Sequence, residues 1–321
     1  MKRIGVLTSG GDSPGMNACI RAVVRTALSL GMEVMGIKRG YAGLIAGEME
    51  PMGARSVGGI IQRAGTILQT VRCEEFKTLA GRREALRKLN EYGIEGLVVI
   101  GGGGSLRGAL ELHKMGFPVV GVPASIDNDI WGTDMAIGAD TALNTALDAI
   151  DKIKETASSH GRAFLVEVMG RECGYLALMA GIAGGAEVVL IPERETPLEK
   201  VAEIVEQAYI KGKRHALIVI AEGAKHKTAE VAAHLQRDEV GFEVRTTILG
   251  HVQRGGSPSA FDRLLATRLG AEAVRQLAKG VSGVMVGLIG NKIKTTPLEE
   301  VTKRRKELDL SFYEMAEVLA I

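Results

Sequence analysis

A chain of 321 residues is long enough for one large or two medium domains. With Lys+Arg 40 against Asp+Glu 38 the net charge is only +2, so no overall field steers it toward nucleic acid or a membrane surface, and 4% aromatics is poor material for base stacking. The three cysteines (Cys19, Cys73 and Cys173) form no CxxC pair, which fits free thiols in a reducing cytoplasm, and no apolar run is long enough to span a bilayer. Lys2 and Arg3 are followed by no apolar leader, because Gly10, Gly11 and Asp12 interrupt it.

The chain opens on an apolar strand over 3–8. Ser9-Gly10-Gly11-Asp12-Ser13-Pro14-Gly15-Met16-Asn17 follows, then a helix over 18–30 that Gly31 stops. A strand, a glycine-rich loop and a helix N-terminus make an anion site, because unpaired N–H groups and the helix dipole face the ligand. The loop matches neither a Walker motif nor GxGxxG. Arg21 and Arg25 stand four apart on one helix face, a spacing that suits a phosphate or a plain solvated surface. Next come a strand over 33–38, a loop opening at Tyr41, a helix over 57–63, and Arg72 in the irregular stretch 70–73. An amphipathic helix over 82–92 is closed by Gly93.

The wholly apolar strand 97–100 reads as part of a parallel sheet covered on both faces. It ends in Gly101-Gly102-Gly103-Gly104-Ser105, with a helix from Leu106. Four glycines cost backbone entropy, which favours a ligand approaching the backbone over a simple turn. The strand 119–122 stops at Pro123, and Ala124-Ser125-Ile126-Asp127-Asn128-Asp129 crowds a loop at its carboxyl end, where open α/β sheets bind ligands. Asp127 and Asp129 lie two apart, so in an extended loop both face one site and one can serve as a base; a solvated turn is the plain alternative.

A long helix over 141–155 comes next, then Arg162 and a strand over 163–168 ending in Met169-Gly170-Arg171. A helix over 176–183 leads through Gly184-Gly185-Ala186-Glu187 to a strand over 188–191. A helix over 197–211 and a strand over 215–221 follow, with Glu222 at that strand's carboxyl end. In the late polar cluster Gly250-His251-Val252-Gln253-Arg254-Gly255-Gly256-Ser257-Pro258, His251 and Arg254 suit an anion or merely form a loop. A strand over 283–289 precedes a charged C-terminal helical segment. The alternation predicts a doubly wound α/β protein with two Rossmann-like, mainly parallel lobes carrying helices on both faces.

Taken together, the loop 8–17, Ile126-Asp127-Asn128-Asp129, Val168-Met169-Gly170-Arg171, Ala221-Glu222-Gly223 and the cluster 249–258 resemble the bacterial ATP-dependent 6-phosphofructokinase family over nearly the whole chain. The resemblance implies transfer of the ATP γ-phosphoryl group to the 1-hydroxyl of fructose 6-phosphate. It implies a larger ATP-binding lobe over 1–138 plus 252–304 and a smaller sugar-binding lobe over 139–251 plus 305–321. In that reading Asp127 is the general base, Arg171 stabilises the transferred group and Arg72 reaches the nucleotide phosphates. Gly11, Cys73, Gly102, Gly103, Gly104 and Ser105 line the nucleotide site. Ser125, Met169, Gly170 and Glu222 hold the sugar, and His251 and Arg254 bind its 6-phosphate, with Arg162 and Arg245 reaching in from a neighbouring subunit. A cytoplasmic homotetramer follows. Arg21, Arg25, Lys154, Gly185, Glu187, Lys211 and Lys213 match an effector site for ADP or phosphoenolpyruvate.

Three residues depart from the family pattern. Gly103 stands where the family has the aspartate that holds Mg2+, which thins the ligand set of a hard cation and leaves Asp129, through water, as the metal's carboxylate. Ala124-Ser125 replaces Gly-Thr but keeps the hydroxyl, and Lys154 replaces an arginine, keeping charge and losing the planar fork. Pyrophosphate users carry aspartate at the position of Gly104 and lysine at that of Ala124; neither is present, so ATP is the expected donor. Gly103 also supports an alternative, a non-catalytic or weakly active sugar-phosphate or effector-binding paralogue.

Overall fold

The computed structural model describes residues 1–158 and 161–320; Ile321, in the expected smaller lobe, lies outside them. The chain divides into two compact units, Met1–Thr141 with Arg254–Lys306, and Ala142–Gln253 with Glu307–Ile321.

In chain order the first unit contains β1 (Arg3–Ser9), α1 (Met16–Ser29), β2 (Glu33–Ile37), α2 (Gly40–Ala46), β3 (Met49–Pro51), α3 (Leu79–Glu91), β4 (Gly96–Gly101), α4 (Gly103–Lys114) and β5 (Val119–Pro123). The helix α5 (Ala139–Ser158) starts in it and runs on into the second unit. The second unit adds β6 (Arg162–Val168), α6 (Tyr175–Gly184), β7 (Val188–Leu190), α7 (Leu198–Ile210), β8 (Ala216–Ala221), α8 (Thr228–Arg237) and β9 (Glu243–Ile248). The chain then returns to the first unit with α9 (Ala260–Ala278), β10 (Val284–Ile289), β11 (Lys292–Pro297) and α10 (Leu298–Lys303), and ends in α11 (Ser311–Leu319) of the second.

Among the described residues the first sheet runs β11-β10-β5-β4-β1-β2-β3 and the second β7-β8-β6-β9. The first is parallel from β10 to β2 with an antiparallel strand at each edge, and the second is parallel throughout. This is the doubly wound α/β architecture expected of the alternating pattern. Burial explains it: β4, β5 and β8 are buried at every position, as strands with helices on both faces must be. The cores sit between sheet and helices, with Ile4, Val98 and Val120 against Ile20, Val23 and Leu269 on one face.

Three expected elements change. The stretch 57–63 is a series of turns, not a helix: Gly59 has φ +66° and the bonds are short-range, Gly58 N to Arg55 O and Arg63 N to Ile60 O. Val57 and Ile60 still reach the core, which produced the helical spacing. The loop expected from Tyr41 is instead α2, bounded by Arg39 and Gly47 in the left-handed region. Helix α4 begins at Gly103, not at Leu106, so the glycines are its first turn.

Candidate functional site

Strands β1 and β4 are neighbours with Ser9 paired to Gly101, and the chain order reverses between them. At such a switch point two loops diverge from the carboxyl edge and leave a crevice. A Cβ on Gly101 would stand 2.4 Å from the Ser9 carbonyl oxygen, so only glycine lets the two strand ends close up. Gly102 caps α4, and the next N–H groups, on Gly103, Gly104 and Ser105, belong to the first turn, whose donors have no partner within the helix.

A cavity of about 800 Å³ lies over these strand ends, within the first unit. Of the expected nucleotide residues, Gly11, Arg72, Cys73, Gly102, Gly104 and Ser105 line it. A Cβ on Gly103 meets nothing within 4 Å, so a side chain at that position has open space. The cavity wall also contains groups that the sequence reading passed over. The rings of Tyr41 and Phe76 stack at 3.9 Å, and the Tyr41 hydroxyl donates to Ser105 O at 2.7 Å. Burial pushes the Tyr41 phenol up, so it stays a donor. Lys114 at 3.0 Å and Arg82 both pair with Glu111, and together they hold its carboxyl below the usual range. The helix-like spacing of α2 was the available signal for Tyr41; nothing local marks the others.

Ser125 and Asp127 line the same cavity. Their loop is folded, not extended. Asn128 is buried with φ +51°; its Nδ2 donates to Asp134 O at 3.2 Å and its Oδ1 accepts from Ala136 N at 2.9 Å. Asparagine tolerates that left-handed turn better than most residues. Ser125 Oγ accepts from Asp127 N and donates to Asp129 Oδ1, each at 3.3 Å. The turn at Asn128 lies between the two carboxylates: Asp127 lines the cavity, and Asp129 is tied to the same loop through the Oγ of Ser125, which also lines it.

Arg254 also lines this cavity. Its Nη1 lies 2.4 Å from where a Cβ on Gly11 would be and 3.9 Å from Asp12 Oδ1. Its Nε is buried with no hydrogen-bond partner among the described residues. Among the described residues no cluster of three or more His, Cys, Asp or Glu side chains could cage a metal.

In the second unit Met169, Gly170, Arg171, Glu222 and His251, expected to hold the sugar, follow the carboxyl ends of β6, β8 and β9, whereas Arg162 opens β6 and Arg245 lies early in β9. Glu222 N donates to Val168 O at 2.9 Å and Gly223 N to Gly170 O at 3.1 Å, which binds the loops after β6 and β8 together. Gly170 has φ +138°, and Met169 is buried beside it. Arg171 Nε lies 3.3 Å from Glu222 Oε1 with its side chain 71% exposed. A Cβ on Gly223 would fall 1.9 Å from the Arg171 carbonyl oxygen. Gly223→Ala is expected to cost about 1–3 kcal/mol by overpacking and to displace Arg171, read as a lower melting temperature together with reduced turnover.

Arg162 Nε lies 2.6 Å from Glu243 Oε2, and Arg245 pairs with the same carboxylate, so Arg162 first and Arg245 second hold that acid low. His251 is exposed on the short turn Gly250–Arg254. Of the expected effector residues, Lys154 Nζ donates to Gly184 O at 2.7 Å, beside Gly185. Lys213 Nζ bridges Glu187 Oε1 at 3.2 Å and Ala320 O at 3.0 Å, and Lys211 is exposed. Arg21 and Arg25 are on α1 and belong to the other unit, so neither unit by itself assembles that set.

A family model described as phosphofructokinase matches residues 3–277. The chain belongs to the phosphofructokinase family. It is 56% identical over 322 residues to ATP-dependent 6-phosphofructokinase 1 of Thermus thermophilus, covering 100% of both chains. It is 54% identical over 321 residues, again covering 100% of both, to the ATP-dependent 6-phosphofructokinase of Halalkalibacterium halodurans. Among solved structures, Pichia pastoris phosphofructokinase in the T-state matches with a TM-score of 0.90 and 38% identity, over 99% of this chain and 36% of that one. A pyrophosphate-dependent phosphofructokinase from Marinobacter aquaeolei matches with a TM-score of 0.86 and 23% identity, over 97% of this chain and 86% of that one, a likeness of fold alone. No described helix is long and apolar enough to cross a membrane.

Proposed function

We propose that this chain transfers the γ-phosphoryl group of ATP to the 1-hydroxyl of fructose 6-phosphate, the committed step of glycolysis. The observation that carries this reading is one cavity lined by the glycine turn after β1, the first turn of α4, Arg72 and the carboxylate of Asp127. Phosphoryl transfer asks the protein for placement and charge more than for covalent chemistry. The first turn of α4 presents N–H donors to the nucleotide phosphates. Asp127 takes the proton of the attacking hydroxyl as that oxygen bonds to phosphorus. Arg171 and Arg72 balance the negative charge on the transferring group. Mg2+ carried in on ATP supplies further charge neutralisation, with Asp129 as the carboxylate that would hold it through water. The first unit is thus the ATP-binding lobe and the second the sugar-binding lobe. Met169, Gly170 and Glu222 hold the sugar; His251 and Arg254, with Arg162 and Arg245 of a neighbouring subunit, take its 6-phosphate. A cytoplasmic homotetramer with ADP or phosphoenolpyruvate at Arg21, Arg25, Lys154, Gly185, Glu187, Lys211 and Lys213 completes the reading.

A coupled assay with fructose 6-phosphate and ATP, titrated with magnesium beside Gly103→Asp, tests it. The open space at Gly103 admits the added carboxylate without strain. The unmodified chain is expected to turn over, and Gly103→Asp to reach half-maximal rate at several-fold less magnesium. Silence of the unmodified chain at saturating magnesium, with an active Gly103→Asp, overturns the kinase reading for this chain.

A further inference from the structure

Asp262 is a buried charge that phosphoryl transfer does not use. It is 0% exposed, in the first turn of α9. Its Oδ1 accepts from Gly138 N at 2.8 Å, and its Oδ2 from Thr141 N at 2.8 Å and Thr141 Oγ1 at 2.6 Å. It therefore caps the start of α5. Ser259 caps α9, accepting from Asp262 N at 3.2 Å, and also donates through Oγ to Asp140 Oδ2 at 2.5 Å. Ser259 N donates to Thr141 Oγ1 at 2.9 Å. Each helix start is thus tied down by side chains of the other. Burying a carboxylate is costly even when it is fully bonded, and burial pushes the Asp262 carboxyl up against the pull of Thr141 and Gly138. An apolar joint would hold two helices with less penalty, so the charge calls for a reason beyond packing.

The place of this knot supplies one. The chain leaves the first unit after Thr141 and returns to it at Arg254, upstream of Ser259. Ile137, next to Gly138, accepts through its carbonyl from Ser13 Oγ at 3.0 Å in the loop after β1 and from Ser125 N at 3.1 Å in the Asp127 loop. Arg254 lays its guanidinium on the Gly11 turn. The knot is therefore one short span of backbone from each of the three pieces that must be in register for transfer.

We propose that Asp262 is a positioning residue which, with Thr141 and Ser259, sets where Arg254 stands against the Gly11 turn and the Asp127 loop. The inference rests on the phosphoryl-transfer reading above. It is tested on the full chain with Ser259→Ala, Thr141→Val, Thr141→Ser and Asp262→Asn, each alone and with Arg254→Ala. kcat, both KM values and the melting temperature are measured. Misplacing a reacting group by about 1 Å can cost about 10²-fold, so Ser259→Ala and Thr141→Val are expected to lower kcat/KM by about 10-fold or more. Thr141→Ser, which keeps the hydroxyl, restores it. In the Arg254→Ala background the same substitutions are expected to add little, because the residue they act through is gone.

If they lower the melting temperature but leave kcat/KM unchanged, or if their effects add in full to that of Arg254→Ala, Asp262 is only a structural cap and the proposal falls. If the unmodified chain shows no turnover, it is the proposed function that fails. The same cycle is then read from the fructose 6-phosphate dissociation constant, where coupling to Arg254 sustains the positioning role and its absence overturns it.

Discussion

Asp127→Asn is expected to lower kcat by about 10²–10⁴-fold, the usual worth of a positioned general base, while the ATP dissociation constant stays within about twofold. The substitution is close to isosteric. Asp127 N still donates to Ser125 Oγ, and Asn128 still anchors the loop through Asp134 and Ala136. What is lost is the group that receives the hydroxyl proton. Steady-state kinetics paired with ATP calorimetry separate the two quantities. A fall in kcat of less than about 10-fold would sink Asp127 as the base, and an equal loss of ATP binding would show that the loop had moved.

Arg171→Ala is expected to lower kcat by about 10²–10³-fold, the usual cost of deleting one group that stabilises transition-state charge. The structure makes this prediction sharp because Arg171 contributes so little to the fold. Its ion pair to Glu222, at 3.3 Å, is made with the side chain 71% exposed, and such surface pairs are worth about 0–1 kcal/mol. The melting temperature is therefore expected to hold. Arg171→Lys keeps a point charge without the planar fork and is expected to recover part of the rate. A large drop in melting temperature, or full activity in Arg171→Ala, would remove Arg171 from the chemistry and leave its loop a structural one.

Much of the site was legible because its signals are local. The glycine turns after β1 and β4 and the polar loop after β5 each follow an apolar strand, and a strand end is visible in the residues themselves. Other parts were not. The helix α2 holds Gly40 and Gly43, residues that suit turns, where a loop is expected; its boundaries come from the left-handed backbone at Arg39 and Gly47. Within 57–63, Val57 and Ile60 share a helical spacing, yet they reach the core from consecutive turns. Tyr41, Phe76, Arg82 and Glu111 come together only when α2, α3 and the segment before α3 pack beside α4.

The sequence by itself determined the strand–helix alternation, the parallel sheets that this implies, and the positions of the loops where polar groups follow apolar runs. These depend on hydrophobic period and backbone freedom, which act over a few residues. Only the tertiary structure decided that the left-handed turn at Asn128 folds the Asp127 loop back on itself through Ser125, and that Arg254 rests on the Gly11 turn. It alone decided that Asp262 caps the start of α5, at a separation in the chain of 121 residues from Thr141. Such contacts depend on strand order and on which buried donors remain unpaired after the helices dock, and no local pattern encodes either.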